Sequence, residues 1–469
     1  MALLYAINPM TTAAIISSLI FGTTFALILT ERVHRTVVAM AGAVLMVLAG
    51  IVFDFYHPEN ALDAVDFNTL GLLFGMMVLV VVLERTGVFQ FLGIFTAKKT
   101  KGKPWLLMLA LGSLTAILSM ILDNVTTIIL IVPITIIIAR MLGISATPIL
   151  LVEAMLSNVG GTATLVGDPP NIMIGSAAGF TFNTFLLHSL PTVIIVGAVT
   201  FLMFKFLFKK ELSQQPQNIE ELLKMNEWDA ITDVKTLKKG LAVLAGVVIL
   251  FFLHGALHLE ASLIALMGAA MILLLVTASK DPQPIIEKTE LSVLLFFASL
   301  FITVGGLEHA GVLESLAHFI TMSAENNLLL TAIVILWVAA IASAIVDNIP
   351  LTVAMIPIIL YLQESGIPVD LLWWALVFGV GFGGNGSPIG STAGIIVVTK
   401  SEQTKEPITF KKWLKYGVPT TAAGLSIASV ALVIFFYTGF VNVTTPHVEA
   451  STNITEEVSE ITQAATIDH

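Results

Sequence analysis

One apolar segment of this chain is interrupted by the sequence SNVGGTATLVGDPPN, which runs from Ser157 to Asn171. A helix does not continue smoothly through Gly160-Gly161 and Pro169-Pro170, because glycine loosens the backbone and proline lacks an amide donor and clashes with the preceding turn. Hydrocarbon tolerates unwound backbone only where protein or a water-filled cavity satisfies its polar groups. Freed carbonyls can bind a cation there, and a freed helix N-terminus can bind an anion. The segment therefore predicts a binding site within a membrane.

The composition agrees with a membrane location. The chain has 469 residues, of which 57% are hydrophobic and 12% are charged, whereas soluble proteins carry roughly 25% charged residues. Its net charge of -10 does not suggest a nucleic-acid partner, and the absence of cysteine excludes disulfides, thiolate metal sites and thiol catalysis. The first apolar run has no basic region before it, so we expect no cleavable signal. We expect an integral protein of the inner membrane, embedded in the lipid bilayer, without a cofactor.

Apolar runs of roughly 20 residues, enough to cross about 30 Å of hydrocarbon, predict ten crossings. They lie near 12–30, 35–54, 67–84, 147–178, 186–204, 240–256, 259–277, 291–307, 371–399 and 417–438. Two further runs, 104–142 and 327–361, are too long for one crossing, and each is interrupted by the pair Asp-Asn. We interpret both as re-entrant hairpins that enter and leave on one side.

The distribution of basic residues tests this map, since cytoplasmic loops are enriched in Lys and Arg. Alternating sides along the chain places all 22 basic residues on one face. The opposite loops, at 54–66, 308–325, 364–370 and from 441 onward, contain acidic residues and no Lys or Arg. We therefore expect both termini outside, and no Lys or Arg within the membrane.

The second half of the chain repeats the first. Asp123-Asn124 recurs 224 residues later as Asp347-Asn348, and Gly160-Gly161 recurs as Gly383-Gly384. Each half holds five crossings and one hairpin, and an odd number of crossings inverts the second half. The predicted fold is an all-α polytopic membrane protein with two inverted repeats, each of five transmembrane helices and one re-entrant hairpin, and with helices broken at the midplane. Inverted repeats of this kind are typical of alternating-access transporters, with the site at the repeat interface.

This repeat also predicts the domain organisation. We expect the first inverted repeat over residues 1–209, a cytoplasmic linker over 210–236, the second inverted repeat over 237–438, and an external acidic tail over 439–469.

Each half supplies a hairpin tip and a broken helix to the predicted site. An Asp-Asn pair at a hairpin tip can simply cap the second helix, but its recurrence beside a broken helix favours a substrate or ion role. Glu153 has no acidic counterpart in the second half, so both readings stay open for it. The candidate substrate- and ion-binding residues are Asp123, Asn124, Thr126, Thr127, Asn158, Gly160, Gly161, Thr162, Thr164, Asp168, Asn171, Asp347, Asn348, Thr352, Gly384, Asn385, Ser387, Ser391 and Thr392. The histidines show no metal-ligand spacing, so a transported sodium ion is the only metal we expect.

These motifs resemble those of the ion transporter superfamily. DNVTT at 123–127 together with SNVGGTATLVGDPPN is similar to the branch that holds arsenical-pump membrane proteins, NhaD-type sodium–proton antiporters and the melanosomal P protein. VDNIP at 346–350 and GGNGSPIG at 383–390 fit the same branch, and the resemblance covers residues 10–438. It implies a citrate-transporter-like domain, a scaffold and a moving transport domain of elevator type, a homodimer and, for an arsenical pump, a cytoplasmic ATPase partner. Relatives commonly carry GASAN where this chain has GSTAG at 390–394, so an amide is missing from the second half.

The predicted site favours a cation or an uncharged solute, coupled to a proton or sodium ion. Asp123, Asp168 and Asp347 are placed near the midplane with no basic residue beside them, so an anion would meet like charge. We favour proton-coupled efflux of arsenite or antimonite, which without cysteine would bind as the neutral hydroxide through amide, hydroxyl and carboxylate groups. A sodium–proton antiporter is the alternative.

More distant alternatives remain. These are an anion symporter for citrate or dicarboxylates, a passive channel, and an intramembrane aspartyl protease whose two carboxylates share a proton. The repeat argues against the protease, because it duplicates a whole binding half. We therefore expect a transporter and not an enzyme.

Overall fold

The computed structural model describes residues 12–30, 32–277, 281–313 and 327–441. Within these ranges the regular structure is helical, without strands. The helices of the first half are α1 (Thr12–Leu29), α2 (Arg35–Val52), α3 (Phe67–Glu84), α4 (Val88–Lys99), α5 (Pro104–Ser119), α6 (Asn124–Met141), α7 (Thr147–Gly161), α8 (Pro169–Ala178) and α9 (Phe182–Leu207). Those of the second half are α10 (Val234–Leu257), α11 (Ala261–Thr277), α12 (Leu291–His309), α13 (Leu328–Ile345), α14 (Asn348–Glu364), α15 (Asp370–Gly383), α16 (Thr392–Ser401) and α17 (Phe410–Thr438). Short helical turns lie in the connections at Pro58–Asp63, Lys209–Leu212, Ile219–Lys224, Glu227–Ala230 and Gln283–Ile286.

Eight of the described helices are long and apolar enough to cross a bilayer, namely α2, α3, α6, α9, α10, α12, α13 and α17. The all-α polytopic fold is confirmed. Helix α4 was not predicted. Its sequence ends in Lys98 and Lys99 and is only moderately apolar, so it was included in a basic loop.

The two predicted interruptions are present. The segment 147–178 divides into α7 and α8, and the segment 371–399 divides into α15 and α16. In each case the first helix ends at a glycine, Gly161 or Gly383, and the second begins after a polar residue in extended conformation. All of α7 and nearly all of α15 are buried, so the broken helices form the centre of the molecule.

The long runs 104–142 and 327–361 each form two helices joined by a short link. Residues 120–123 connect α5 to α6, and residues 346–347 connect α13 to α14. The Asp-Asn pair lies at the start of the second arm both times, and the second arms share a proline at matching positions, Pro133 and Pro357. Helix α14 also contains Pro350 near its start. Their re-entrant path through a membrane stays a prediction.

Packing between helices follows the sequence repeat. Helix α5 packs on α7 and α13 packs on α15, which are matching pairs in the two halves. Across the halves, α2 packs on α12 and α3 packs on α11. An internal two-fold relation produces this crosswise pairing of helices. The inversion and the bounds of the four predicted segments stay predictions. Residues 314–326 of a predicted external loop and 442–469 of the predicted external acidic tail lie outside the described residues.

Candidate functional site

The first broken helix depends on glycines that let two helices touch. A Cβ atom at Gly160 would lie 2.4 Å from the carbonyl oxygen of Ala116 on α5, and one at Gly167 would lie 2.5 Å from that of Ser119. The loop between α7 and α8 is fixed by the Asn171 amide, which donates to the carbonyls of Gly161 and Thr164, each at 2.9 Å. The unwound backbone is therefore satisfied by protein, as a membrane site requires.

Buried amide side chains link the two halves. The side-chain amide of Asn124 at the first hairpin tip donates to the side-chain oxygen of Asn158 at 2.9 Å. The Asn158 amide in turn donates to the Asn385 side chain at 2.8 Å and to the Ser391 hydroxyl at 2.9 Å. Asn385 donates to the carbonyl of Met155 at 3.1 Å. We call Asn124, Asn158, Asn385 and Ser391 the amide ladder; it brings three predicted elements together at the centre.

A small cavity of about 30 Å³ lies beside the amide ladder. Asp168, which is buried, accepts a hydrogen bond from the Asn348 amide of the other half at 3.1 Å. The cavity is lined by Arg35, Leu73, Met77, Asp123, Asn124, Val125, Asp168, Pro169, Glu290, Val293, Asn348, Ile349 and Thr392. We call it the carboxylate cavity, because Asp123, Asp168 and Glu290 all face it. Of the predicted site residues, it brings together Asp123, Asn124, Asp168, Asn348 and Thr392.

The two hairpin tips differ in how they use their aspartates. Asp123 caps α6, accepting from the Thr126 backbone amide at 2.8 Å and the Thr126 hydroxyl at 2.5 Å. Asp347 occupies the matching position before α14 but makes no capping bond. Pro350 stands where the first half has Thr126, and proline offers neither an amide hydrogen nor a hydroxyl. The Asp347 carboxylate is thereby free for other partners.

Those partners include an arginine that the sequence analysis placed outside the membrane. Arg35, the first residue of α2, donates to Asp347 at 3.0 Å and to the Thr392 hydroxyl at 2.8 Å. The Thr392 hydroxyl also donates to Asp347 at 2.9 Å, and the guanidinium lies 5.2 Å from the centre of the Phe296 ring. The expectation that no basic residue reaches the site is wrong, because the long side chain of a residue at a helix end extends inward.

Glu290 is the other residue of the carboxylate cavity that the sequence analysis missed. It immediately precedes α12, where an acidic residue resembles an ordinary loop residue. The sequence does show the difference between the two hairpin tips, because the second half has Pro350 where the first half has Thr126.

The other predicted residues do not line the carboxylate cavity, and several of them bond to the backbone around the breaks. The Thr162 hydroxyl donates to the backbone carbonyl of Asn158, and the Thr352 hydroxyl donates to the backbone carbonyl of Asn348. The Ser387 hydroxyl donates to Ala344, and a Cβ at Gly384 would lie 2.9 Å from the Gly390 carbonyl oxygen. The hydroxyl of Thr127 is buried and has no hydrogen-bond partner among the described residues.

Glu153 lies apart from this cavity. It is fully buried on α7, and its carboxyl group is 2.5 Å from the Thr135 hydroxyl that donates to it. Within the part of the chain that the structure describes, its second oxygen has no hydrogen-bond partner. The structure places it against α6, away from the residues that line the carboxylate cavity.

Comparison with known proteins places the chain in one family. The citrate transporter family matches residues 25–379. A "46 kDa membrane protein" of Mycobacterium leprae is 38% identical over 426 residues, covering 89% of this chain and 98% of that protein. The human P protein is 30% identical, covering 92% of this chain and 61% of that longer protein. This agrees with the resemblance drawn from the motifs.

A solved structure shares the fold. The YdaH transporter of Alcanivorax borkumensis has a TM-score of 0.57 and 16% sequence identity, covering 91% of this chain and 99% of that one. The family match indicates a membrane transporter and not an enzyme, and the solved structure shows the fold. The chain belongs to the citrate transporter family.

Proposed function

We propose that this protein is a secondary transporter that exchanges a small cation, sodium, for protons at Asp168. The observation that carries this proposal is the carboxylate cavity, where three carboxylates face about 30 Å³ of space with Arg35 as the one basic side chain in its lining. Among the described residues, no ion pair involves Asp168. A carboxylate in a low-dielectric site is stabilised by either a proton or a bound cation. It therefore takes one or the other, as antiport requires.

Both halves of the chain contribute to this exchange. Asp168 immediately precedes α8 in the first half, while its hydrogen-bond donor Asn348 is the first residue of α14 in the second. A relative movement of the halves would open this contact and change which side of the membrane Asp168 faces. That is the alternating access expected of repeated, broken helices. The homodimer, the elevator-type motion and an ATPase partner, which the motif resemblance implies, are further proposals.

Arsenite or antimonite efflux is the second candidate, and the amide ladder favours it. Asn124, Asn158, Asn385 and Ser391 present uncharged donors and acceptors next to the carboxylate cavity. Such groups suit a neutral trihydroxide. Proton binding at Asp168 would then drive export.

Citrate is less compatible with the site, although it gives the matching family its description. A citrate anion would meet Asp123, Asp168 and Glu290 against one guanidinium. The desolvated like charges would oppose it.

Transport in proteoliposomes tests the proposal. Vesicles loaded with sodium and a trapped pH-sensitive dye are diluted into sodium-free buffer. We expect the interior to acidify as sodium leaves and protons enter, and we expect Asp168→Asn to abolish the signal. A parallel set is loaded with arsenite and given an inward proton gradient. Arsenite loss without sodium-driven proton movement would establish the second candidate, and absence of both from inserted, folded protein would overturn the proposal.

A further inference from the structure

In each half, one aspartate next to a helix start makes no capping hydrogen bond, but the two aspartates are not at matching positions. In the first half the hairpin residue Asp123 caps its helix, and Asp168 at the broken helix does not. In the second half the order is reversed. Ser391 caps α16 by accepting from the Gly394 amide at 3.2 Å, and Asp347 at the hairpin tip caps nothing. Each half therefore contributes one uncapped carboxylate, Asp168 or Asp347.

Prolines accompany both uncapped carboxylates. Pro169 and Pro170 follow Asp168 directly and remove the first two amide hydrogens of α8. Pro350 removes the third amide hydrogen of α14, the one whose equivalent Asp123 uses in the first half. In both places the local sequence removes a backbone donor that the carboxylate would otherwise accept from. Both aspartates are thus available to a charged partner.

The partners of the two carboxylates are different. Asp347 forms an ion pair with Arg35 at 3.0 Å, and its side chain is 16% exposed. Asp168 is 1% exposed and is held by the neutral amide of Asn348. The second half offers no basic equivalent of Arg35 to the first-half site, since the matching start of α11 reads Leu259-Glu260-Ala261. One uncapped carboxylate has a fixed cation and the other has none.

We infer that Arg35 is a tethered cation that fills the second-half site beside Asp347 and Thr392, so that the protein exchanges one cation per cycle, at Asp168. The inference rests on the proposed cation exchange. Arginine keeps its charge at any physiological pH, so this site cannot alternate between a proton and a metal ion. A guanidinium hydrogen-bonded to Asp347 and Thr392 satisfies the oxygens that a bound sodium would otherwise need. The residue thereby sets the stoichiometry, acting through Asp347.

Counting bound sodium tests this role. Radioactive sodium is titrated onto the purified protein at alkaline pH, so that free carboxylates are ionised. We expect one sodium per chain in the wild type and two in Arg35→Gln, because glutamine keeps a hydrogen-bond donor and removes the charge. The double variant Arg35→Gln/Asp347→Asn is the matched control. It should return to one, since the carboxylate that binds the second sodium is gone.

Each outcome decides between the claims. One sodium in both wild type and Arg35→Gln would overturn the tethered-cation role and leave the proposed function standing. No sodium in the wild type would overturn the proposed function, and this inference with it. If Arg35→Gln does not fold, Asp347→Asn serves instead. It leaves an unpaired guanidinium at the cavity and should weaken sodium binding roughly tenfold or more, and unchanged affinity would contradict the inference.

Discussion

Asp123 and Asp347 show that matching residues in two repeats need not have matching partners. Asp123 uses both carboxylate oxygens on Thr126, whereas one oxygen of Asp347 binds Arg35 and Thr392. The other Asp347 oxygen is buried, and no described residue forms a hydrogen bond with it. The sequence motif alone would assign all three central aspartates the same ion-carrying role. The contacts separate a helix cap, an ion-pair partner and a carboxylate without a counter-ion.

The effect of a substitution at Asp123 on stability should depend on whether the new side chain can cap α6. Asparagine caps helices about as well as aspartate, and alanine does not. We expect Asp123→Asn to unfold near the wild-type temperature and Asp123→Ala to lose about 1 kcal/mol, measured by thermal unfolding in detergent. Equal destabilisation by both variants would mean that the charge, and not the cap, stabilises this tip.

At the residue scale, the sequence predicted that these amides and aspartates lie near one another, but it did not predict the arginine beside them. Asn158 and Asp168 lie in a long, unusual motif within an apolar run, so their central position follows from the breaks alone. Arg35 stands at a helix end, where positive residues are normally explained by the side of the membrane they face. Nothing in its spacing reveals that the side chain turns toward residue 347, because that contact joins positions 312 residues apart.

At the scale of helices, close contact between α5 and α7 depends on Gly160. A methyl group there would meet the Ala116 backbone at 2.4 Å, which neither helix can relieve without moving. We expect Gly160→Ala to destabilise the protein by about 1–3 kcal/mol. Gly246→Ala on α10 is the control, since a Cβ there has no atom within 4 Å. The Gly246→Ala substitution should be neutral or stabilising by up to about 1 kcal/mol. If thermal unfolding shows equal destabilisation by Gly160→Ala and Gly246→Ala, the close packing of α5 on α7 is contradicted.

The connection between the halves is docked on α4 by a charged contact. The Lys98 ammonium donates to Glu227 at 2.5 Å and to the carbonyl of Met225 at 2.7 Å, and the Trp228 ring packs on Phe91. The hydrogen bond from Lys98 holds the pKa of Glu227 below its ordinary value of 4.5. Because the folded-state pKa is depressed, the stabilisation is present above pH 4.5 and is lost as the pH falls below it.

A fluorophore can report this docking. The chain has no cysteine, so Asp229→Cys provides a single attachment point next to Trp228. We expect the fluorescence to stay constant from pH 7 to about pH 4.5 and to change at lower pH. In Glu227→Gln the transition should disappear. A transition of the same size in that variant would show that another group controls the docking.

The broken helices and paired hairpin arms were predictable because proline and glycine interrupt otherwise uniform apolar runs. Helix α4 was not, since a twelve-residue helix rich in Lys at its end gives the same signal as a loop. Its counterpart in the repeat, 224 residues later, would span 312–323, and most of that range lies outside the described residues. Short helices of this kind depend on tertiary contacts that local sequence does not encode.

At the scale of the whole molecule, the basic residues predict orientation. Lys101 should face the cytoplasm and Phe440 the outside, because three and ten crossings precede them in the predicted map. We expect a membrane-impermeant thiol reagent to label Phe440→Cys in intact cells and Lys101→Cys only after permeabilisation. Labelling of both from the same side would mean that the number of crossings between them is even, and the inverted-repeat topology would be wrong.

The central claim is that Asp168 holds either a proton or a transported cation, and proton release measures it directly. Sodium is added to purified protein in weakly buffered detergent over a series of starting pH values, and the released protons are counted. Wild type and Asp123→Asn should release up to about one proton per chain, because sodium displaces the proton from a single carboxylate. Asp168→Asn should release none. Release from Asp168→Asn equal to that of the wild type would contradict the account.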